Sequence, residues 1–332
     1  KIFWITIITI ISLSCSNKNQ YKKDISESQV NITIKRLDQD LFGVNIDSIH
    51  KEIPRLTEKY GAFFELYNRH VINIGGSNSR AYPDNLRGFL TDHVMNQVHK
   101  KTREVYPELD KIEEKLTSGF NHFRHYFPKK QIPAIYTYIG GFNQSIVVGD
   151  SILAIGLDKY LGRDCEFYYK LSWSEYLQKN MYKEKIPTDC MKAWAKTEWE
   201  FNDSVDNVMS NMLYRGKLLY LVKSMFPEEH DTLVTGFTSR ELKWVEANEK
   251  QIWDYIVEHK LLFETDYMTI NKLVNPAPFT AGFPKESPGR TVNWLGWKII
   301  EEYMKRNKNT TLEQLMNDDD YQKILEQSKY HP

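Results

Sequence analysis

Residues 132–157 have the sequence IPAIYTYIGGFNQSIVVGDSILAIGL, in which three short runs rich in β-branched and aromatic residues are separated by glycines. This composition is typical of β-strands, which we predict over residues 132–138, 144–148 and 152–157. Between the second and third runs, Gly149-Asp150 leaves room only for a tight hairpin. The stretch therefore predicts one small sheet in the middle of the chain, rich in antiparallel pairs.

On both sides of this stretch the periodicity is mostly helical. Alternating Val30, Ile32 and Ile34 predict one more half-buried strand, but elsewhere apolar residues recur at intervals of three or four, which indicates amphipathic helices. We predict helices over residues 49–67, 84–101, 108–126, 189–200, 203–225, 239–263, 290–307 and 321–328. The fold class that follows is α+β, predominantly helical with one small central sheet.

The domain organisation follows from composition. Nothing between residues 30 and 332 has the composition of a linker, which predicts a single globular domain over 30–332. After the sheet the sequence pattern changes from β-rich to helical. This change divides the domain into two lobes, an N-terminal lobe of helices and sheet over 30–157 and a helical C-terminal lobe over 158–332.

Composition and charge exclude several classes of protein. The chain has 332 residues, of which 41% are hydrophobic, so it can bury a sizeable core and is not disordered as a whole. Lys plus Arg and Asp plus Glu number 44 each, so no net charge draws the protein to nucleic acid. Three cysteines cannot form a disulfide framework; Cys165 and Cys190 form either one disulfide or, the favoured interpretation, two buried thiols.

The N-terminus has the pattern of a lipoprotein signal. The apolar run over residues 2–13 is shorter than the ~20 residues that a membrane-spanning helix needs, but it fits a secretory signal. Small residues lead into Cys15 as in the bacterial lipobox, which predicts a signal peptide over 1–14, lipid attachment at Cys15 and a flexible polar tether over 15–29. An ordinary cleaved signal with an incidental cysteine and a short buried strand are the alternatives.

No complete catalytic or cofactor-binding set is present in the sequence. There is no His-Glu-x-x-His, no Gly-x-Ser-x-Gly and no phosphate-binding loop. His122 and His125 could share a helix face as two metal ligands, but a third ligand would have to come from elsewhere. Eight Trp and twenty Tyr permit a sugar-binding cleft, although Trp194, Trp199, Trp244 and Trp253 have the spacing of core residues.

Several separate blocks of sequence resemble one known family. They are Ile155-Gly-Leu-Asp-Lys-Tyr-Leu-Gly162, Asn275-Pro-Ala-Pro-Phe279, Ser287-Pro-Gly-Arg290, Trp294-Leu-Gly-Trp-Lys-Ile-Ile300 and Ser328-Lys-Tyr330. In this order, and over essentially the whole chain, they resemble the gliding-motility lipoprotein GldB family of Bacteroidetes. The resemblance implies an outer-membrane lipoprotein that faces the periplasm, is needed for gliding and is associated with other gliding-motility lipoproteins and with type IX secretion.

The order of elements is also similar, more distantly, to a family of zinc-dependent peptidases with a zincin-like architecture. That family has a His-Glu-x-x-His helix after the sheet and a later Glu-Gly that supplies the third zinc ligand. The corresponding helix here begins at Asp189 and contains no histidine, and Arg215 stands where the ligand Glu would be. The likeness implies a cleft that has lost its metal, with Arg215, Asp189 and Glu198 as its residues, and we predict that Arg215 pairs with Glu198 or Glu200.

The sequence thus predicts a non-catalytic lipoprotein, a pseudoenzyme without metal or cofactor, that acts as a component or assembly factor of the gliding and type IX secretion machinery. Its partners would be the membrane, through the N-terminal lipid, and other gliding-motility lipoproteins or secretion components, but no nucleic acid. A peptidoglycan- or glycan-binding lipoprotein and a divergent zinc metallopeptidase are the two alternatives.

Overall fold

The computed structural model describes Tyr21, Ile25 and residues 29–332. The predicted signal peptide over 1–14, the predicted lipid attachment site Cys15 and most of the predicted tether lie outside these residues. The described chain has the predicted predominantly helical α+β fold, with one four-stranded sheet. No helix within it is long and apolar enough to cross a membrane.

Seventeen α-helices and four strands can be delimited in the described residues. The strands are β1 Ile34–Arg36, β2 Ala134–Tyr138, β3 Ile146–Gly149 and β4 Ile152–Gly156. The helices before β2 are α1 Leu37–Phe42, α2 Ile49–Tyr60, α3 Ala62–Leu66, α4 Tyr82–Thr91, α5 His93–Val105 and α6 Asp110–Tyr126. Those after β4 are α7 Glu166–Lys170, α8 Glu175–Gln178, α9 Ile186–Glu198, α10 Val208–Met225, α11 Asp231–Thr235, α12 Ser239–Ala247, α13 Glu249–Glu258, α14 Tyr267–Val274, α15 Thr291–Arg306, α16 Leu312–Asn317 and α17 Tyr321–Ser328.

The sheet is mixed, and the prediction that it is rich in antiparallel pairs is wrong. Its strand order is β1-β2-β4-β3, in which β3 and β4 form the predicted antiparallel hairpin across Gly149-Asp150. The other two pairs, β1 with β2 and β2 with β4, are parallel. The physical reason is that β4 inserts between β2 and β3, so the hairpin turn returns the chain to the direction of β2. Every residue of β4 is buried, as expected for a strand with parallel pairing and both faces covered.

Alternate residues of the central strands serve two separate hydrophobic cores. In β4, Leu153 and Ile155 belong to the larger core, whereas Ile152 and Ala154 belong to the smaller one. Helices α1 to α4 contribute to the smaller core, and the larger one contains residues of α5, α6 and nearly all later helices. The sheet itself therefore separates the two cores.

Two predicted helices are interrupted by polar residues at which a new helix begins. The segment over 84–101 divides at Asp92, whose carboxylate accepts a hydrogen bond of 2.8 Å from the Met95 amide and caps α5. The segment over 239–263 divides at Asn248, where α12 ends and α13 begins. The prediction for α17 over 321–328 matches the observed helix.

Two long helices of the larger core, α10 and α15, cross at glycines. A Cβ on Gly216 would lie 2.3 Å from the carbonyl carbon of Gly296, and one on Gly296 would lie 2.1 Å from the carbonyl oxygen of Met212. No side chain fits at such distances, so glycine on both helices allows their backbones to touch.

Within the predicted tether over 15–29, the described residue Tyr21 is in contact with the domain. Tyr21 is buried, and its hydroxyl oxygen accepts a hydrogen bond of 3.1 Å from the indole Nε1 of Trp297. The same hydroxyl donates to a carboxylate oxygen of Glu301, and the ring lies 5.0 Å from that of Tyr220. The polar composition of 15–29 concealed this contact, because a single aromatic residue supplies it.

Candidate functional site

A cavity of about 530 Å³ opens at the edge of the sheet where β2 and β4 end. Because these two strands are parallel, their carboxyl ends meet at the same edge, a common position for ligand sites in open sheets. Phe142 and Asn143 line the cavity from the loop after β2, and Lys159 and Tyr160 line it from the segment after β4. Helix α8 with its flanking residues, helix α9, the end of α11 and the segment between α14 and α15 complete its walls.

Asp158 connects the two loops that leave the sheet. It is fully buried, and its Oδ2 atom accepts hydrogen bonds from the backbone amides of Gly140, at 3.1 Å, and Phe142, at 2.6 Å. Its Oδ1 atom is buried without a hydrogen-bond partner. Burial raises the pKa of the Asp158 carboxyl to about 6, against the effect of the two amide donors. Asp158 therefore holds Phe142 in the cavity wall and is poorly suited to carry a charge.

The lining of the cavity is strongly cationic. Five basic side chains contribute to it and only one acidic side chain, Asp189. The basic residues are Lys159, Lys179, Lys185, Lys192 and Arg290. This concentration of positive charge stands out in a chain whose acidic and basic residues are equal in number.

Helix α9 and Lys185, the residue just before it, supply three of the charged side chains from one face. Lys185, Asp189 and Lys192 are separated by four and three residues, the spacing that places side chains side by side on a helix. The Lys185 ammonium lies 2.5 Å from Asp189 Oδ1, and the Tyr160 hydroxyl donates to Asp189 Oδ2 at 3.1 Å. The Asp189 carboxylate is thus already shared by two partners.

Arg290 reaches the cavity from a rigid turn. A Cβ on the preceding Gly289 would lie 2.3 Å from the carbonyl oxygen of Ala277, so glycine is required there. The hydroxyl of the buried Thr280 donates to the Pro288 carbonyl at 2.7 Å and accepts from the Thr291 amide at 3.0 Å. Arg290 itself has a left-handed backbone, with φ of 60°, and its guanidinium donates to the Thr235 carbonyl at 2.9 Å.

The structure brings two of the three predicted cleft residues to this region. Asp189 lines the cavity, and Arg215 is close enough to Lys192 and Arg290 for its charge to act on both. Glu198 lies nine residues further along α9, about 13 Å away along the helix axis. Its carboxylate pairs with Lys130 at 2.8 Å and not with Arg215.

Arg215 makes a different contact from the carboxylate pair expected from the sequence. Its Nη2 donates to the side-chain oxygen of Asn275 at 3.3 Å, and its Nε is buried without a hydrogen-bond partner. Burial and the neighbouring Arg290 both lower the pKa of the Arg215 guanidinium. Arg215 therefore connects α10 to the Asn275-Pro276 segment, and the prediction of an ion pair with Glu198 or Glu200 is wrong.

The residues of this cavity do not fit a zinc ion. Zinc in proteins is bound by His, Cys, Asp or Glu, usually by three or four of them. Among the described residues no group of three such side chains is close enough together to hold a metal. The buried His122 is held by the Ser118 carbonyl at 3.0 Å, and the His125 ring packs on Tyr126. Cys165 and Cys190, the other soft donors, are buried free thiols, as favoured from the sequence.

The tryptophans do not form a sugar-binding platform at this cavity. Trp173 is the one tryptophan among the described residues that lines it, and its ring is already occupied. The Lys159 ammonium lies 3.7 Å from the ring centroid, and the ring of Tyr168 stacks on Trp173 at 5.4 Å. Trp194 and Trp199 are buried in the larger core, and Trp244 and Trp253 pack against it, in agreement with their core spacing.

Sequence reasoning missed Lys192, Arg290 and Lys159 as residues of a site. The spacing of Lys185, Asp189 and Lys192 on one helix face was a usable signal, because it predicts a charged strip. Arg290 and Lys159 lie within the blocks of sequence that resemble the motility family. Three of those blocks, 155–162, 275–279 and 287–290, each contribute residues to the cavity lining.

Comparison with known families of proteins identifies the same family that these blocks of sequence resemble. The family model of the gliding motility protein GldB, which describes a lipoprotein family by its name, matches residues 18–332. No curated protein and no solved structure matches the chain. The family model covers the whole described domain, including both helices of the glycine crossing and every residue of the cavity. The chain therefore belongs to the GldB family of gliding motility proteins.

Proposed function

We propose that this gliding motility protein is a non-catalytic lipoprotein, anchored by lipid at Cys15 in the outer membrane and facing the periplasm. In that position it would act as a component or assembly factor of the gliding and type IX secretion machinery. The single observation that supports the non-catalytic role best is the lining of the cavity, which is mainly cationic, while the described residues contain no group of three side chains that could hold a metal. Positive side chains repel a divalent ion and do not activate a water molecule for it.

The position of Tyr21 supports a domain held close to the membrane. Tyr21 is only six positions after Cys15, and a chain extended over six positions spans at most ~20 Å. Because Tyr21 is buried against Trp297 and Tyr220, a lipid on Cys15 would hold the face formed by α10 and α15 near the bilayer. The cavity would then have a defined orientation relative to the membrane.

The test is genetic and uses single exchanges in the source bacterium. Deletion of the gene should abolish colony spreading and reduce type IX secretion, and the wild-type gene should restore both. A Cys15→Ser variant should leave the membrane fraction and fail to restore spreading, whereas the same exchange at the buried thiol Cys165 should remain membrane-bound. Normal spreading and secretion after deletion would refute the role in motility.

A separate measurement addresses the non-catalytic part of the proposal. The mature chain, purified without added metal, should contain no stoichiometric zinc by elemental analysis. About one zinc per chain would overturn the assignment as a pseudoenzyme, and would direct attention to peptide substrates.

A further inference from the structure

Two of the five cations in the cavity are neutralised by carboxylates. Lys185 pairs with Asp189 at 2.5 Å, and Lys179 pairs with Glu241 at 2.6 Å. A third, Lys159, has partial compensation from the Trp173 ring and from the Phe142 carbonyl, which accepts a hydrogen bond of 3.3 Å. Lys192 and Arg290 remain, and neither has a carboxylate within ion-pair distance among the described residues.

Lys192 has unused hydrogen-bonding capacity directed at the cavity. An ammonium group offers three donors, and the Lys192 side chain has no hydrogen-bond or ion-pair partner in the described part of the chain. Burial, together with the positive charges of Arg290, Lys185 and Arg215, lowers its pKa well below the ordinary value for lysine. An unpaired cation in this environment costs stability, and an anion in the cavity would remove that cost.

Arg290 has the same unused capacity in a more rigid setting. One nitrogen of its guanidinium donates to the Thr235 carbonyl, and no other hydrogen bond of the group is formed within the described residues. The Gly289 turn fixes its position, so the guanidinium is oriented before any ligand arrives. A guanidinium fork binds carboxylates and phosphates with two parallel hydrogen bonds, and a nearby ammonium adds a point charge.

The size of the cavity and its other lining residues indicate what kind of molecule would fit beside Lys192 and Arg290. Its volume of about 530 Å³ suits a small molecule or a few residues of a peptide, and is far too small for a nucleic-acid duplex. Asn143 and Asn180 contribute neutral polar groups, while Tyr176 and Leu177 provide an apolar side. We propose that the cavity binds a small ligand that carries a carboxylate or a phosphate, and that this oxyanion contacts both Lys192 and Arg290. The proposal stands independently of the role in motility.

The test uses the mature chain and two probes, inorganic phosphate and succinate, titrated calorimetrically against chloride at equal ionic strength. At least one of the two should bind the wild type more tightly than chloride. Lys192→Met should weaken that binding about tenfold or more, because a charge-assisted hydrogen bond is lost. The matched control is Lys196→Met, the same exchange one turn further along α9 at an exposed position, which should bind as the wild type does.

Each outcome decides for or against the site. Binding of phosphate alone would assign a phosphate-bearing ligand, and binding of succinate alone a carboxylate-bearing one; both results support the proposal. Lys192→Arg keeps the charge and should retain most of the affinity for the oxyanion. Arg290→Gln should independently weaken the binding of the oxyanion. The proposal is overturned if neither oxyanion binds the wild type more tightly than chloride, or if Lys192→Met and Lys196→Met bind equally well.

Discussion

The indole Nε1 of Trp297 donates a hydrogen bond of 3.1 Å to the hydroxyl of Tyr21, and so joins the beginning of the chain to a helix 276 residues away. The same hydroxyl donates to Glu301, and burial, followed by the Glu301 charge, raises the Tyr21 pKa far above its ordinary value. The hydroxyl is therefore neutral at any physiological pH. It serves as a hydrogen-bonding link between a buried indole and a partly buried carboxylate.

Removal of this hydroxyl should destabilise the domain. Tyr21→Phe leaves the Trp297 indole and the Glu301 carboxylate without this partner, and we expect a loss of about 1–2 kcal/mol in the free energy of unfolding. Tyr21→Ala also removes the ring from its place beside Tyr220 and should cost about 3 kcal/mol. Urea unfolding of the mature chain measures both. Tyr267→Phe, at a side chain that is 70% exposed, is the control, and an equal effect there would contradict the link.

A second prediction concerns the helix crossing at Gly216 and Gly296. The same exchange, glycine to alanine, should have opposite effects on stability at Gly216 and at Gly88. Gly216→Ala would place a methyl group 2.3 Å from the backbone of α15, so the helices must separate, at a cost of about 3 kcal/mol or more. Gly88→Ala, in the exposed interior of α4 with nothing within 4 Å of the new Cβ, should stabilise by about 0.5–1 kcal/mol. Thermal or urea unfolding distinguishes the two. Similar effects of both exchanges would mean that the helices do not touch at this glycine.

Local features of the fold were accessible from the sequence, and distant pairings were not. The hairpin at Gly149-Asp150 and the helix over 321–328 depend on neighbouring residues, and both were predicted correctly. The parallel pairing of β2 with β4 joins segments separated by another strand, so no local pattern indicates it. The choice between one long helix and two depended on whether Asp92 caps a new helix or lies on the surface of an existing one.

The candidate site was predicted only in part for the same reason. The distant likeness named Asp189 as a residue of a cleft, and in the structure Asp189 lines the cavity. Lys192 and Arg290 are 98 positions apart in the sequence, and their approach depends on the packing of α9 against the turn before α15. Arg215 was expected to find a carboxylate, since buried cations usually do. It contacts Asn275 instead, because Glu198 is turned toward Lys130.

The raised pKa of Asp158 gives a dependence of stability on pH with a definite sign. The carboxyl group titrates at about 6 in the folded chain, against an ordinary value of 3.8 for aspartate. The folded state therefore binds the proton more tightly, and this contribution to stability is complete below pH ~4 and lost as the pH rises through 6. Relative to Asp158→Asn, which stays neutral, the wild type should lose about 2–2.5 kcal/mol between pH 4 and pH 7.

The control for this titration is Asp164→Asn, the same exchange at an exposed position. Urea unfolding of all three proteins across this pH range isolates the contribution of Asp158, since every other group is common to them. If the difference in free energy of unfolding between the wild type and Asp158→Asn does not vary with pH, the Asp158 carboxyl does not titrate as its buried position requires. Loss of binding at the cavity in Asp158→Asn would further show that the Phe142 loop depends on this side chain.

Lys217 and Lys192 have opposite surroundings, which allows a sharp comparison of the two lysines. Lys217 donates to the carbonyls of Met316, at 3.2 Å, and Asp318, at 3.0 Å, and lies 3.5 Å from the Asp319 carboxylate. Lys192 has none of these partners among the described residues. Lys217→Met should therefore cost about 2–3 kcal/mol, because the carbonyls at the end of α16 lose their donor, whereas Lys192→Met should stabilise the free protein by about 1 kcal/mol.

The advantage of Lys192→Met should also depend on pH. A lysine whose pKa is lowered by folding binds its proton less tightly in the folded state, so the wild type gains stability relative to the variant as the pH rises through that lowered pKa. The stabilisation by Met should be greatest at pH values below that lowered pKa and shrink as the pH rises above it, which urea unfolding at several pH values would measure. A destabilised Lys192→Met protein would mean that the ammonium has an internal partner. A stabilised protein that no longer binds oxyanions would instead show that the unpaired charge is maintained for a ligand, at the expense of the stability of the empty domain.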